Sequence, residues 1–307
     1  MAWLQLVRWK NLLIIFLAQL LAWACVIRPQ VYSYLPDSVY HLSAVNFLLL
    51  ALSTMLIAAA GYIINDYFDV KIDLINKPER VVLGKTIARK NAILAHGILS
   101  ILAIAIAGYV AAKAHHLEWL GIQVACVALL WLYSTRFKRQ YVAGNLVVAL
   151  LTSLTIVTLI VYEPAMHHPI LPVWVLGTYA YFAFMLTWMR EIVKDMEDHR
   201  GDEADGCVTM PIKKGLRFAM VFTIVLALLV IIPLSVAPVL LYKYNYKLLA
   251  VYIAVMLAVP LIVWVVAFGR GRDTRHYHNA SSWLKMIMLA GICSLIIYYF
   301  QMLTNRV

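Results

Sequence analysis

Residues 44–73 read AVNFLLLALSTMLIAAAGYIINDYFDVKID. Up to Ile64 the stretch carries no charge and is long enough to cross a bilayer as a helix, which takes about 20 apolar residues. Three aspartates then follow, Asp66, Asp69 and Asp73, with Asn65 ahead of them. Steps of three and four residues put these side chains on one helical face. Like charges at such spacing repel by a few tenths of a kcal/mol per pair in water. Near hydrocarbon an aspartate costs more, up to about 2.5–3.5 kcal/mol at a helix centre. A membrane helix that ends in such a stripe calls for a counter-charge. Mg²⁺ suits it, since this hard cation typically takes one or two carboxylates together with phosphate oxygens.

The same device recurs once. After the apolar run 171–189 come Glu191, Asp195, Asp198 and Asp202, with Asp205 three residues further on. These acids also share one helical stripe. Together the segments 66–79 and 191–205 hold 11 of the 15 Asp and Glu residues. Loop solvation alone would spread them more evenly, so the two clusters are read as a pair that coordinates something.

Around these stretches the chain is membrane-like throughout. Of its 307 residues 64% are hydrophobic and 13% charged, against about 25% charged in a soluble domain. Nine apolar runs are expected to span, at about 11–27, 44–64, 92–112, 117–134, 142–161, 171–189, 217–238, 247–268 and 283–303. The connections are short, so residues 1–307 read as one all-α, polytopic membrane domain. The first run makes a poor cleaved signal, because Trp23 disturbs the small-residue pattern before Cys25. Cys25, Cys126, Cys207 and Cys293 show no paired spacing and are expected to be small core residues.

Charge sets the expected orientation. With the N-terminus inside, 21 of the 26 Lys and Arg residues fall on inside segments, a positive-inside bias. The N-terminus and both acid clusters are thus placed on the cytoplasmic side of a cell inner or plasma membrane, and the C-terminus outside. The net charge of +11 is explained by this bias and by anionic ligands on the inner face, not by nucleic acid. Lys77, Arg80 and Lys85 follow the first cluster, Tyr133, Arg136, Lys138 and Arg139 close the fourth run, and Arg190 and Lys194 open the second cluster. Mg²⁺ with such bases is a usual clamp for a diphosphate, neutralising charge as the leaving group departs.

At Asn65-Asp66-x-x-Asp69-x-x-x-Asp73, continued by Asn76-x-Pro78-x-Arg80 and Gly84, the sequence resembles the UbiA superfamily of intramembrane prenyltransferases. Asp195-x-x-Asp198-x-x-x-Asp202 looks like the family's second motif. Tyr133-Ser134 to Lys138 is similar to an element between the two, and Arg8-x-x-Asn11 to an N-terminal signature. Val81 departs from the family, where Pro often follows the Arg, and is expected to alter a loop only.

The resemblance implies a nine-helix bundle whose active site opens to the cytoplasm. It implies that Asp66, Asp69 and Asp73 bind one Mg²⁺, and that Asp198 and Asp202, assisted by Asp195, bind another. Asp66, Asp69, Asp198 and Asp202 would be the catalytic carboxylates. Arg8, Asn11, Asn65, Lys77, Arg80, Tyr133, Lys138, Asn145, Arg190 and Lys194 would hold substrates. The allylic bond of a prenyl diphosphate would ionise, and a nucleophile would capture the cation behind apolar walls that exclude water. Tyr62, Phe68, Tyr133 and Trp188 are aromatic candidates to steady that cation, or else interfacial belt residues.

Tyr133-Ser134, Lys138, Gly144-Asn145 and the stretch from Glu191 through Lys194 to Gly201-Asp202 look most like the branch that geranylgeranylates geranylgeranylglyceryl phosphate. In that case Lys138, Arg139 and Arg190 would also meet an acceptor phosphate. An aromatic acceptor such as 4-hydroxybenzoate or a naphthoquinone precursor is the alternative. An ion-coupled transporter is more distant, since transporter acids usually sit near the midplane on broken helices. The expected partners are a prenyl diphosphate, the acceptor and membrane lipid, with no obligate protein partner. His115-His116 and His167-His168 fall on the outer side, away from the acids. His276-x-His278 lies inside, where an anionic-lipid contact is its default role.

Overall fold

Hydrocarbon offers no partner to a backbone N–H or C=O, so a chain this apolar can cross a membrane only in structures that pair those groups internally. The computed structural model describes residues 1–31, 41–76, 78–167, 171–271 and 273–305. Among them nine helices are long and apolar enough to span. They are α1 (Trp9–Gln30), α2 (Ala44–Ile75), α3 (Arg89–Lys113), α4 (Leu117–Thr135), α5 (Ala143–Val161), α6 (Leu171–Ala204), α7 (Leu216–Lys243), α8 (Lys247–Phe268) and α9 (Thr274–Thr304). No β-strand accompanies them among the described residues; the one isolated bridge joins Leu83 and Ile87.

All nine expected runs are present, and three helices outgrow them. α2 continues past residue 64 to Ile75, and α6 past residue 189 to Ala204. α9 begins at Thr274, where the Asp273 side chain accepts the His276 N–H as a cap, well before the apolar run starts at residue 283. At about 1.5 Å per residue, the 34 residues of α6 reach roughly 50 Å, well beyond the hydrocarbon thickness. The overhangs of α6 and α9 meet where His278 pairs with Glu197 at 2.9 Å.

α6 is the central helix and packs against α2, α5, α7 and α9. Lipid tails are as apolar as leucine, so helices associate through close packing and polar bonds, each bond contributing about 0.6 kcal/mol on average. Gly61 on α2 lets α4 approach so closely that a Cβ there would lie 2.6 Å from a Leu130 methyl carbon. Gln19 on α1 donates to the Thr155 carbonyl on α5 at 2.8 Å and to Thr54 Oγ1 on α2 at 3.2 Å. Ser53 donates to the Ala103 carbonyl at 2.7 Å, tying α2 to α3.

One apolar cluster, with Trp23 stacked on Phe47 at 4.8 Å beside Leu159, Tyr162 and Tyr298, consolidates the end of the bundle away from the acid stripes. There the Glu163 carboxylate is fully buried and accepts the backbone N–H groups of His41 at 3.0 Å and Leu42 at 2.8 Å. Burial pushes this carboxyl up to about 7, against the downward pull of the Leu42, His41 and Ala165 amides. A second cluster, from Met185 and Met189 through Trp264, Phe268 and Tyr277, joins α6 to α7, α8 and α9. A small third one, Leu6, Ile63, Leu83, Ile87 and Ala92, lies beside the start of the first acid stripe.

Candidate active site

Three segments converge at one end of the bundle: the overhang of α2, the overhang of α6, and the turn at Phe137–Arg139 between α4 and α5. Helical periodicity turns the first acid stripe inward, and Asp69 is only 4% exposed. Asn65 donates to Asp69 Oδ2 at 2.7 Å, and Lys138 Nζ pairs with the same oxygen. Asp66 takes a hydrogen bond from Arg8 at 2.7 Å, and the Arg8 guanidinium lies over the Tyr62 ring, 5.0 Å from its centroid. Arg8 itself sits at φ 51°, ψ 52°. That left-handed conformation costs a residue with a Cβ about 1–2 kcal/mol, and here it directs the side chain back to α2. Asp73 completes the stripe, with Asp69, Lys138, Asp66 and Arg8 as its charged neighbours.

The second stripe faces the first. Asp195 accepts a hydrogen bond from Asn145 Nδ2 at 2.9 Å, which links α6 to the start of α5. Glu191, one turn earlier, takes Arg190 at 2.9 Å and Lys194 at 3.5 Å. Asp202 is buried, and the charges nearest it are those of Lys138, Asp198 and Asp69. Asp205 pairs with Arg139 at 2.6 Å, and the Val208 N–H donates to the Arg139 carbonyl, so the turn is strapped to the end of α6.

Lys138 joins the halves. It pairs with Asp69 of one stripe and feels the charge of Asp202 on the other. Burial works to lower its pKa, but Asp69, Tyr133 and Asp202 outweigh burial and hold it above the ordinary lysine range. The backbone that places it depends on Gly144, where a Cβ would meet the Lys138 Cα and the Phe137 carbonyl oxygen at 3.0 Å. Beside the second stripe a small, half-open recess is lined by Tyr133, Lys138, Gly144, Asn145, Glu191 and Asp195.

The donors here are carboxylate and amide oxygens, the ligand type that Mg²⁺ prefers. Asn65 Oδ1 is buried with no hydrogen-bond partner among the described residues, an acceptor left over beside Asp69. Among the described residues no three His, Cys, Asp or Glu side chains converge closely enough to hold an ion unaided. This set therefore fits an ion completed by ligand oxygens better than an all-protein cage.

The expected site residues Arg8, Asn65, Asp66, Asp69, Asp73, Tyr133, Lys138, Asn145, Arg190, Lys194, Asp195 and Asp202 are brought together, with Asp198 beside Asp202. Asn11 adjoins them and accepts a hydrogen bond from Lys285 of α9 at 2.8 Å. Lys77 lies outside the described residues, and Arg80 is described in its backbone only. Of the four aromatic candidates, Tyr133 lines the recess while Tyr62 is covered by Arg8. Phe68 is exposed and packs edge-on against Trp131, and Trp188 packs against Phe184 and Phe222. Lys285 is the member of this set that the sequence reading does not mark as ligand-binding, and Glu191, read with the second acid stripe, turns to Arg190 and Lys194 instead. A lone lysine inside an apolar run was the available signal for the first, since charge within a membrane span is itself a pointer to function.

Residues 31–289 match the sequence pattern of the UbiA prenyltransferase family. The chain belongs to this family. It is an integral, multi-pass membrane prenyltransferase with the all-helical UbiA fold. Two of its relatives are the digeranylgeranylglyceryl phosphate synthases of Methanobrevibacter smithii and Hyperthermus butylicus. The first is 32% identical over 80% of this chain and 84% of the relative. The second is 30% identical over 94% of this chain and 93% of the relative. A solved structure of a digeranylgeranylglyceryl phosphate synthase superposes with a TM-score of 0.62 at 23% identity, covering 98% of this chain and 97% of the other. A UbiA homologue from Archaeoglobus fulgidus bound to GPP and Mg²⁺ superposes with a TM-score of 0.61 at 15% identity, covering 96% and 99%. At these identities the superpositions establish the shared fold.

Proposed function

We propose that this UbiA-family enzyme transfers a geranylgeranyl group from its diphosphate to the free hydroxyl of a prenylated glycerol phosphate, with Mg²⁺ as cofactor, at the cytoplasmic end of a single membrane domain. The observation that carries the reading is Lys138, a cation held between two acid stripes that come from helices far apart in sequence. Carboxylates on both sides of a half-buried ammonium make one site that binds a polyanion through cations. The names of the relatives favour the glycerol phosphate acceptor. The inner-face basic bias favours an N-terminus and active site in the cytoplasm, and an odd number of spans then puts the C-terminus outside.

In the reaction the allylic C–O bond breaks and its electron pair leaves with the diphosphate. The acceptor oxygen supplies the pair for the new ether bond, and its proton passes to the released diphosphate. Asp66, Asp69 and Asp73 on one side, and Asp195, Asp198 and Asp202 on the other, would hold Mg²⁺. When bound, the metal supplies Lewis-acid stabilisation of the departing diphosphate. Lys138 and Asn65 orient the phosphate oxygens from the middle of the site. Tyr133 and the apolar ends of α4 and α5 shield the carbon centre from water, which would otherwise capture it.

The test uses purified protein in detergent with labelled geranylgeranyl diphosphate, offering geranylgeranylglyceryl phosphate in one arm and 4-hydroxybenzoate in the other. Transfer to the glycerol phosphate alone, stopped by EDTA and restored by Mg²⁺, is expected. Transfer to the aromatic acid alone would overturn the acceptor and leave the diphosphate chemistry standing.

A further inference from the structure

Beyond the two acid stripes lies a set of basic side chains that the diphosphate chemistry does not use. Lys285 sits on α9, half-buried, and its ammonium donates to Asn11 Oδ1 of α1 at 2.8 Å. Asn11 also neighbours the Tyr62 hydroxyl of α2. The charges that bear on Lys285 are those of Arg190 on α6 and Lys10 on α1, both cations. Three helices thus bring positive charge to one place.

The nearby carboxylates are already engaged. Asp66 is taken by Arg8, and Glu191 is shared by Arg190 and Lys194. Lys285 is left against an amide oxygen, and Lys10 against the Trp9 indole at 5.9 Å. Arg190 keeps one donor in reserve, since its Nε is buried with no hydrogen-bond partner among the described residues. Cations crowded together, with an orphaned buried N–H among them, are stabilised by an anion that brings several acceptor oxygens. A phosphomonoester does so, with close to two negative charges and three such oxygens.

We infer that Lys285, Arg190 and Lys10, with Asn11 as the group that positions Lys285, form a second anion site that takes the phosphate of the acceptor. The inference rests on the glycerol phosphate reading above and deepens it. Glu191 lies between the two sites: it lines the recess beside Lys138 and Asp195, and on its other side it pairs with Arg190. A phosphate held at Lys285 therefore anchors the acceptor next to the diphosphate recess, with its hydroxyl free to turn inward. An acceptor without the phosphate leaves these cations unneutralised, so the site selects for the phosphorylated form.

The test compares the unaltered enzyme with Lys285→Met and Lys285→Arg, in detergent free of added lipid. Each is assayed with geranylgeranylglyceryl phosphate and with geranylgeranylglycerol. In Lys285→Met the KM for the phosphorylated acceptor should rise about tenfold or more, the loss of a charge-assisted hydrogen bond. The KM for geranylgeranyl diphosphate should stay within about twofold. Preference for the phosphorylated acceptor should fall by the same factor, and Lys285→Arg should recover most of it. An unchanged acceptor KM overturns the inference, as does a rise confined to the diphosphate substrate. An effect seen only in vesicles containing anionic phospholipid overturns it too, making the cluster a bilayer headgroup contact. A fall in melting temperature with equal loss on both acceptors, not rescued by Lys285→Arg, assigns Lys285 a packing role and also overturns it. If the unaltered enzyme ignores both glycerol acceptors, the acceptor reading fails and this inference with it; an active enzyme with an insensitive Lys285→Met variant sinks the inference alone.

Discussion

The two ends of the bundle solve one problem in opposite ways. At the end away from the acid stripes Glu163 is sealed from solvent and held by the backbone N–H groups of His41 and Leu42. At the acid-stripe end Asp69 is nearly as buried, but its partners are the side-chain tips of Lys138 and Asn65. Backbone amides cannot leave, so the Glu163 carboxylate is a fixed tie between the start of α2 and the end of α5. Side-chain groups can swing away and be replaced, so the stripe carboxylates are open to exchange. Buried acid alone does not mark a site; the kind of partner that compensates it does.

The strongest way to break this contrast is to remove an acid of the stripes. Asp69→Ala and Asp198→Ala should each lower turnover by about 10³-fold or more, as expected when charge stabilisation of a leaving group is lost. Both proteins should still insert and elute as folded, monodisperse species on size exclusion. Full activity in both variants would end the two-stripe reading. A milder change tests the positioning of Lys138 rather than its chemistry. Gly144→Ala puts a methyl 3.0 Å from the Lys138 Cα and the Phe137 carbonyl, so the turn must shift by a few tenths of an ångström. A roughly tenfold fall in kcat is expected from such a displacement, with stability changed by about 1 kcal/mol. Unaltered kcat would show that the turn has slack.

The smallest effect on catalysis belongs to Glu163 at the opposite end. Glu163→Gln should leave turnover unchanged and act on stability alone. The folded protein holds the Glu163 proton up to about pH 7, above the usual carboxylate range, so this group's contribution falls as pH rises through that value. Melting temperature measured from pH 5 to 8 should therefore slope downward in the unaltered protein, and that slope should flatten by a few degrees in the variant. A variant with the original slope would remove Glu163 as its source.

Much of this was legible in the sequence because the relevant signals are local. Apolar run length fixes a span, and steps of three and four place Asp66, Asp69 and Asp73 on one face whatever surrounds them. What stayed hidden depends on distant pairings. Nothing near Lys138 in the chain says that it meets Asp69, or that Arg139 is spent on Asp205. The apolar runs also understated α2, α6 and α9, because hydropathy stops where charge begins while helical hydrogen bonding does not. Lys285 was counted only as an orientation signal, since its partner Asn11 lies at the other end of the sequence. Arg8 gave no hint of its left-handed backbone.

The pairing of Lys138 with Asp69 bears on how a highly charged ligand enters so apolar a protein. On the proposed chemistry the resting pocket behaves as an ion exchanger preloaded with its own counter-ions. As a metal-bearing diphosphate arrives, the carboxylates pass from ammonium to metal and the freed ammonium passes to phosphate. Little net charge is moved from water into the low-dielectric interior, and the barrier to occupation becomes a swap of partners rather than a desolvation.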